Sequence, residues 1–178
     1  MTKKEGALLL KIARQSLETF VKSGKRSKLP DKLPGALQMG YGAFVTLQVD
    51  QELRGCIGTM TAHGPLAETV REMAVAAGNN DPRFDPVPEE DLAAIQYEVS
   101  VLSPMKVTKA ADVTPGKHGV MIRRGQYSGV LLPQVATEHG WDRESFLNHT
   151  CMKAGLPPGA WKEGGTDIYT FTAQVFSE

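Results

Sequence analysis

The sequence predicts an α+β fold, and three observations predict it. Two pairs of short alternating segments lie close enough together to form antiparallel hairpins. Segments with helical spacing are interspersed among them rather than following each strand in turn, which argues against a doubly wound parallel sheet. A hairpin-then-helix pattern at 43–78 returns at 119–154, with no short repeat of fixed period.

The elements follow in order. Leu9, Ile12, Ala13, Ser16 and Phe20 recur at helical spacing, so residues 5–22 form a helix that Gly24 stops. Residues 23–40 hold Pro30, Pro34, Gly35 and Gly40 without periodicity and read as a basic surface loop. Ala43, Val45, Leu47 and Val49 alternate as a strand, Asp50-Gln51-Glu52 turns, and Leu53–Thr59 returns. Pro65 opens a helix whose inward stripe is Leu66, Val70, Met73, Ala74 and Ala77, ending near Gly78. Pro82, Pro86 and Pro88 then forbid regular structure in an acidic loop.

Ile95, Tyr97, Val99 and Val101 alternate with Gln96, Glu98 and Ser100, a strand with one wet face. Val120–Arg123 and Tyr127–Leu132 make the second hairpin around Arg124-Gly125-Gln126. Pro133 starts a short helix ending near Gly140. Asp142 caps another of about twelve residues, closed by Gly155 before Pro157-Pro158. Tyr169, Phe171, Ala173 and Val175 alternate as a last strand.

Composition bounds the class. The 178 residues suffice for one domain or two small lobes sharing a core. Hydrophobic residues make up 41% and charged residues 22%, as in soluble globular chains. A net charge of +0 offers no global field for nucleic acid, and the basic cluster at 22–32 comes with no base-stacking motif. Nucleic-acid binding is therefore not expected. Two cysteines and four histidines, scattered over separate elements, match no metal-ligand spacing, and no cofactor is expected. The thiols point to a reducing, cytosolic setting. Lys3 and Lys4 precede Leu8-Leu9-Leu10, but Lys11, Arg14 and Glu18 break any signal-peptide pattern, and no stretch approaches a membrane span.

The segment Glu52–Met60, "ELRGCIGTM", concentrates the chemistry. By strand alternation Leu53 and Ile57 face the core while Arg54, Cys56 and Gly58 face the other way. A guanidinium about 7 Å from a thiol, two residues of strand rise, pairs an anion clamp with a candidate nucleophile. Bare Gly55 and Gly58 leave room for a ligand to approach the backbone. The structural alternative is a small buried cysteine beside an arginine paired with an acid. Asp81 and Arg83 flank Pro82, where Asp81 shapes the turn and Arg83 reaches an acid or a ligand. Lys117 and His118 sit between Gly116 and Gly119, either as a proton-moving, anion-binding loop or as a tight turn before a strand. Leu147, Cys151 and Ala154 share a helix face, which places Cys151 in the core, while Asn148 and His149 serve as polar contacts. His118 and His149 are the proton-transfer candidates for Cys56.

The segments "LRGCIGTM", "NNDPRFDPV", "YEVSVLSP", "PGKHGVMIRRG", "SGVLLPQVATEHGWDRESFLNHTCMKAGLP" and "IYTFTAQVF" together resemble the AMMECR family, in this order and from about Glu5 to Phe176. The hexapeptide Leu53–Gly58 carries the most distinctive part of the resemblance. It implies a single AMMECR-type domain over residues 1–178, with two interlocked βαβ-like units of mainly antiparallel strands. It also implies two unequal lobes and a cleft near Leu53–Gly58. The resemblance further implies association with a Memo-type protein and a radical S-adenosylmethionine protein. It implies no settled reaction.

Two functional readings follow. In the first, an enzyme or enzyme component takes a small anionic or peptide-like substrate. Arg54, Gly55, Gly58, Asp81 and Arg83 bind it, and Cys56 acts with His118 or His149. In the second, a non-catalytic adaptor uses the basic 22–32 and acidic 81–91 loops as partner surfaces.

Overall fold

Thr2 accepts a hydrogen bond from the Glu5 N–H while the Glu5 carboxylate takes the Thr2 N–H, a reciprocal cap that opens α1 (Lys3–Ser23). Gly24, at φ 66°, ends the helix in the left-handed conformation that glycine adopts without strain. The computed structural model describes residues 1–62 and 64–178. The loop expected at 23–40 contains one helical turn, α2 (Gly35–Gln38), which buries Leu37. Apolar spacing over four residues is too short to announce a helix.

The first hairpin joins β1 (Ala43–Val49) to β2 (Glu52–Thr59). Asp50 and Gln51 both take positive φ, 51° and 67°, the left-handed pair that a two-residue hairpin turn requires. Helix α3 (Leu66–Asn79) follows, its first N–H satisfied by the Met39 carbonyl at 2.8 Å. A 3₁₀ turn over Glu89–Ala94 lies inside the acidic stretch where regular structure was not expected. Pro88 precedes the turn, so its prolines direct the helical entry rather than forbid it. Strand β3 (Gln96–Leu102) then pairs with β1, antiparallel.

The second part repeats this order. After β4 (Lys106–Val107) come the hairpin β5 (Gly119–Arg124) and β6 (Tyr127–Leu131), the helices α4 (Pro133–Glu138) and α5 (Arg143–Lys153), and β7 (Asp167–Phe171), which pairs with β5. The first sheet has the order β2-β1-β3-β8, with β8 at Ala173–Ser177; the second has β4-β7-β5-β6. Each hairpin's first strand therefore sits between its partner and the strand that follows the helix. The final alternating run, expected as one strand, is two strands in different sheets. Thr172 breaks it, donating its N–H to Ser103 Oγ at 2.9 Å and accepting from Ser103 N–H at 2.8 Å. Alternation continues across the break, so the sequence pattern does not reveal the change of sheet.

The chain forms two compact units: Met1–Leu102 with Gln174–Glu178, and Ser103–Ala173. Each has its own core. The first gathers Leu9, Leu17, Leu47, Val70 and Tyr97; the second gathers Ile122, Phe146, Leu147, Cys151 and Ile168. Among the described residues no helix is long and apolar enough to cross a membrane.

Candidate functional site

Strand β2 departs from simple alternation at Arg54. Leu47 pairs with Gly55 but Gln48 pairs with Leu53, so Arg54 is the extra residue of a β-bulge. The expectation that Leu53 faces the core is corrected by this bulge, because one inserted residue shifts the alternation. Leu53 is 41% exposed, whereas Ile57, beyond the bulge, packs against the first core. The bulge also removes the premise that Arg54 and Cys56 share a face by spacing alone. Arg54 Nη2 donates to the Pro86 carbonyl at 3.4 Å, and its Nη1 is buried without a partner among the described residues.

On the side where a Cβ would stand, the room expected beside the glycines is taken by the chain itself. A Cβ on Gly55 would lie 2.1 Å from the Ala77 carbonyl oxygen of α3, and one on Gly58 would lie 2.3 Å from the Phe44 ring. Gly55 thus lets the end of α3 lie directly on the sheet.

Beyond the bulge, Cys56 sits on the face away from α3. Its neighbour across β1 is Thr46, whose hydroxyl donates to Cys56 Sγ at 3.3 Å. Thr46 is paired on its other side with Glu98 of β3, so Cys56, Thr46 and Glu98 form one row across three strands. Burial raises the Glu98 pKa above the ordinary carboxylate value.

Asp81 fixes the outer edge of this row. Strand β2 ends the sheet, and the Cys56 N–H points outward to Asp81 Oδ2 at 2.9 Å. Arg83 donates to the same carboxylate from Nη2 at 2.7 Å, from Nε at 2.9 Å and from its backbone N–H at 3.2 Å. Arg83 Nη2 also reaches the Cys56 carbonyl at 3.4 Å. Asp81 is 4% exposed. The Arg83 hydrogen bonds, helped by the Cys56 N–H, outweigh burial and hold its carboxyl well below the usual range. The Arg83 pKa is raised, first by Asp81 and least by the nearby Cys56. The loop thereby covers an exposed strand edge with charge-assisted hydrogen bonds. It also makes Arg83, half-exposed, the guanidinium beside the thiol.

The structure brings together Cys56, Asp81 and Arg83, with Gly55 and Gly58 on the same strand. His118 and His149 belong to the second unit and have their own partners there. His118 Nδ1 accepts the Thr114 N–H at 3.1 Å, and the His118 backbone N–H donates to the Thr114 carbonyl at 2.9 Å, which is the tight-turn arrangement. His149 stacks on Trp141 with centroids 3.8 Å apart, and His139 also stacks on Trp141, at 4.5 Å. Cys151 is fully buried and burial raises its thiol pKa, in keeping with a core role. Among the described residues no group of three His, Cys, Asp or Glu could hold a metal ion.

Two residues of the site were not singled out from sequence, Thr46 and Glu98. Their signal was present in the polar alternate positions of β1 and β3. Strand register, which joins them to Cys56, was not.

Comparison with known proteins agrees with this architecture. The AMMECR1 family model matches residues 10–176, spanning both units. A protein of Methanothermobacter thermautotrophicus is 45% identical, with 100% of this chain and 96% of that protein aligned. Protein PH0010 of Pyrococcus horikoshii is 40% identical, aligned over 97% of this chain and 89% of its own length. The crystal structure of the uncharacterized protein PH0010 superposes with a TM-score of 0.90, covering 100% of this chain and 93% of that one at 39% identity. The α+β fold is shared, and the chain belongs to the AMMECR1 family.

Proposed function

We propose that this chain is a cytosolic enzyme or enzyme component that takes a small anionic or peptide-like substrate on the Cys56 face of its first sheet. The observation that carries the reading is the row Cys56–Thr46–Glu98, held in place by Asp81. The Thr46 hydroxyl orients the sulfur, and Cys56 is the nucleophile. Glu98 lies two strand spacings from Cys56, about 9–10 Å, a span that fits a small substrate between them. Its raised pKa suits proton transfer, a role this reading prefers for Glu98 over His118 or His149. Arg83 supplies positive charge beside the thiol; Arg54, tied to Pro86, is the secondary candidate.

Alkylation of the native chain by iodoacetamide, located by peptide mass spectrometry, tests the first step. Cys56 should be modified at least tenfold faster than fully buried Cys151. Equal protection of the two would remove the nucleophile. Native mass spectrometry of chain isolated from cells should then show a bound metabolite that Cys56→Ser loses.

A second reading, a non-catalytic adaptor, is favoured by one observation. Lys22, Lys25, Lys28 and Lys32 are exposed, and none takes part in an ion pair among the described residues. In this reading they dock a partner, the Memo-type or radical S-adenosylmethionine protein implied by the family resemblance. Reversing those four charges abolishes function if the adaptor reading holds, while Cys56→Ser is silent.

A further inference from the structure

The helix layer of the first unit carries a second feature, on the side of the sheet away from Cys56. Between the C-terminal halves of α1 and α3 lies a pocket of about 340 Å³, lined by Phe20, Val75 and Ala76 with Arg26, Arg71 and Glu72. That volume is within the range of small-molecule sites, roughly 300–1,000 Å³.

Arg71 is poorly satisfied for a side chain only 12% exposed. Its Nη1 reaches the Ser27 carbonyl at 3.5 Å and its Nη2 reaches Glu68 at 3.8 Å, both at the limit of useful contact. Its Nε is out of solvent and has no hydrogen-bond partner among the described residues. A guanidinium this deep ordinarily has its donors matched by close acceptors. The one carboxylate in the lining among the described residues, Glu72, is already paired with Arg26. Arg26 thus has a close carboxylate, whereas Arg71 has only Glu68 at 3.8 Å, and exposed Lys22 and Lys25 lie close by in the chain. The Arg71 fork therefore holds no anion at close range among the described residues, while the other side of the pocket is apolar.

We infer that the α1–α3 pocket binds a small carboxylate carrying an apolar body, with the carboxylate on Arg71 and the apolar part against Phe20, Val75 and Ala76. A planar carboxylate matches the guanidinium fork. Inorganic phosphate would leave the apolar wall uncovered. The carboxylate can belong to a free acid or to a peptide C-terminus, and the test separates the two.

Phenylacetate titrated into the full chain, followed by amide NMR, should give saturable shifts at Gly24 and Ala76. The expected Kd is on the order of 1 mM, as suits a ligand of about ten heavy atoms. Phenylacetamide, of the same shape without the charge, should bind at least tenfold more weakly. Arg71→Gln should cause a similar loss. Val75→Trp should abolish binding by filling the pocket while leaving the guanidinium in place. Gly-Gly-Phe binding tenfold tighter than phenylacetate assigns the site to a chain end, whereas equal or weaker binding assigns it to a free acid. The inference is overturned if 20 mM phenylacetate produces no saturable shift, or if phenylacetamide binds equally well. The amide comparison uses the unaltered chain, so it decides the matter even where a variant does not fold.

Discussion

The two hairpin–helix modules are built alike at one point and differ beside it. In the first, Leu47 of β1 pairs with Gly55, and a Cβ there would strike the Ala77 carbonyl at 2.1 Å. In the second, Ile122 of β5 pairs with Gly129, and a Cβ would strike the Ala154 nitrogen at 2.3 Å. Both glycines let the end of a helix lie flat on the second strand of a hairpin. The residue after each differs: Cys56 in one, Val130 in the other. So does the loop after each helix. In the first, Asp81 and Arg83 turn back onto the strand edge at Cys56. In the second, Asn148 Oδ1 takes the Gly159 N–H at 2.9 Å and the Trp161 Nε1–H at 2.8 Å, closing the loop over an apolar core. The second module is an internal control. The glycine is architecture in both, and what remains distinctive of the first is the thiol, the buried carboxylate and the guanidinium.

The largest effects should come from the shared feature. Gly55→Ala and Gly129→Ala each force helix backbone away from the sheet and should cost about 2–4 kcal/mol, the scale of overpacking a tight contact. Urea unfolding midpoints measure this. Tolerance of one substitution but not the other would show that the modules are only superficially alike.

Next is Asp81→Asn. It weakens the lock on Cys56 N–H and leaves Arg83 without its anion, for about 2 kcal/mol, below the full buried-pair cost because Arg83 is half-exposed. The pH dependence has a definite sign. The folded pKa of Asp81 lies below its ordinary 3.8, so below that pH the unfolded chain binds the extra proton. The stability Asp81 contributes is complete above 3.8 and is lost as the pH falls further. Asp81→Asn should flatten that acid limb of the stability curve, and an unchanged limb would mean the carboxylate is not held as described.

Asn148→Ala removes two hydrogen bonds from the corresponding loop of the second module and should cost about 1–2 kcal/mol. Cys56 alkylation should be unaffected, which distinguishes it from Asp81→Asn, where the freed strand edge should alter the rate.

The smallest effect belongs to Glu98. Its folded pKa is raised, so the folded chain holds a proton that the unfolded chain has released as the pH climbs above 4.5. Glu98→Gln should therefore raise the unfolding midpoint above that pH and leave it unchanged below. A midpoint lowered at neutral pH would mean that the carboxylate is stabilised as the anion, and its proton-transfer role would fall.

Local rules made much of the chain legible. The spacing of Leu9, Ile12, Ala13 and Ser16 marked α1, Gly24 its end, and Asp142 the cap of α5, where its carboxylate accepts from Ser145 N–H at 2.8 Å. Alternation marked both hairpins, and helical spacing put Cys151 in the core. These signals depend on residues within a turn or two of one another. Residue chemistry singled out the Leu53–Gly58 strand and read its bare glycines as room for a ligand; the Cβ side of Gly55 is instead taken by the end of α3.

By itself, then, the sequence determined the elements, the recurrence of hairpin and helix, and the strand that bears Cys56, because periodicity and turn chemistry act at short range. Tertiary structure decided which partner each strand took. It placed Thr46 and Glu98 in a row with Cys56, excluded Leu53 from the core at a one-residue bulge, and moved the chain between sheets at Thr172. It also brought Arg83 to the Cys56 carbonyl and tied Arg54 to the Pro86 carbonyl. Those outcomes rest on register and on loops folding back across the chain, where hydrogen bonds join residues as far apart in sequence as Cys56 and Asp81. No local pattern encodes such pairings, because their energy exists only once the strands have met.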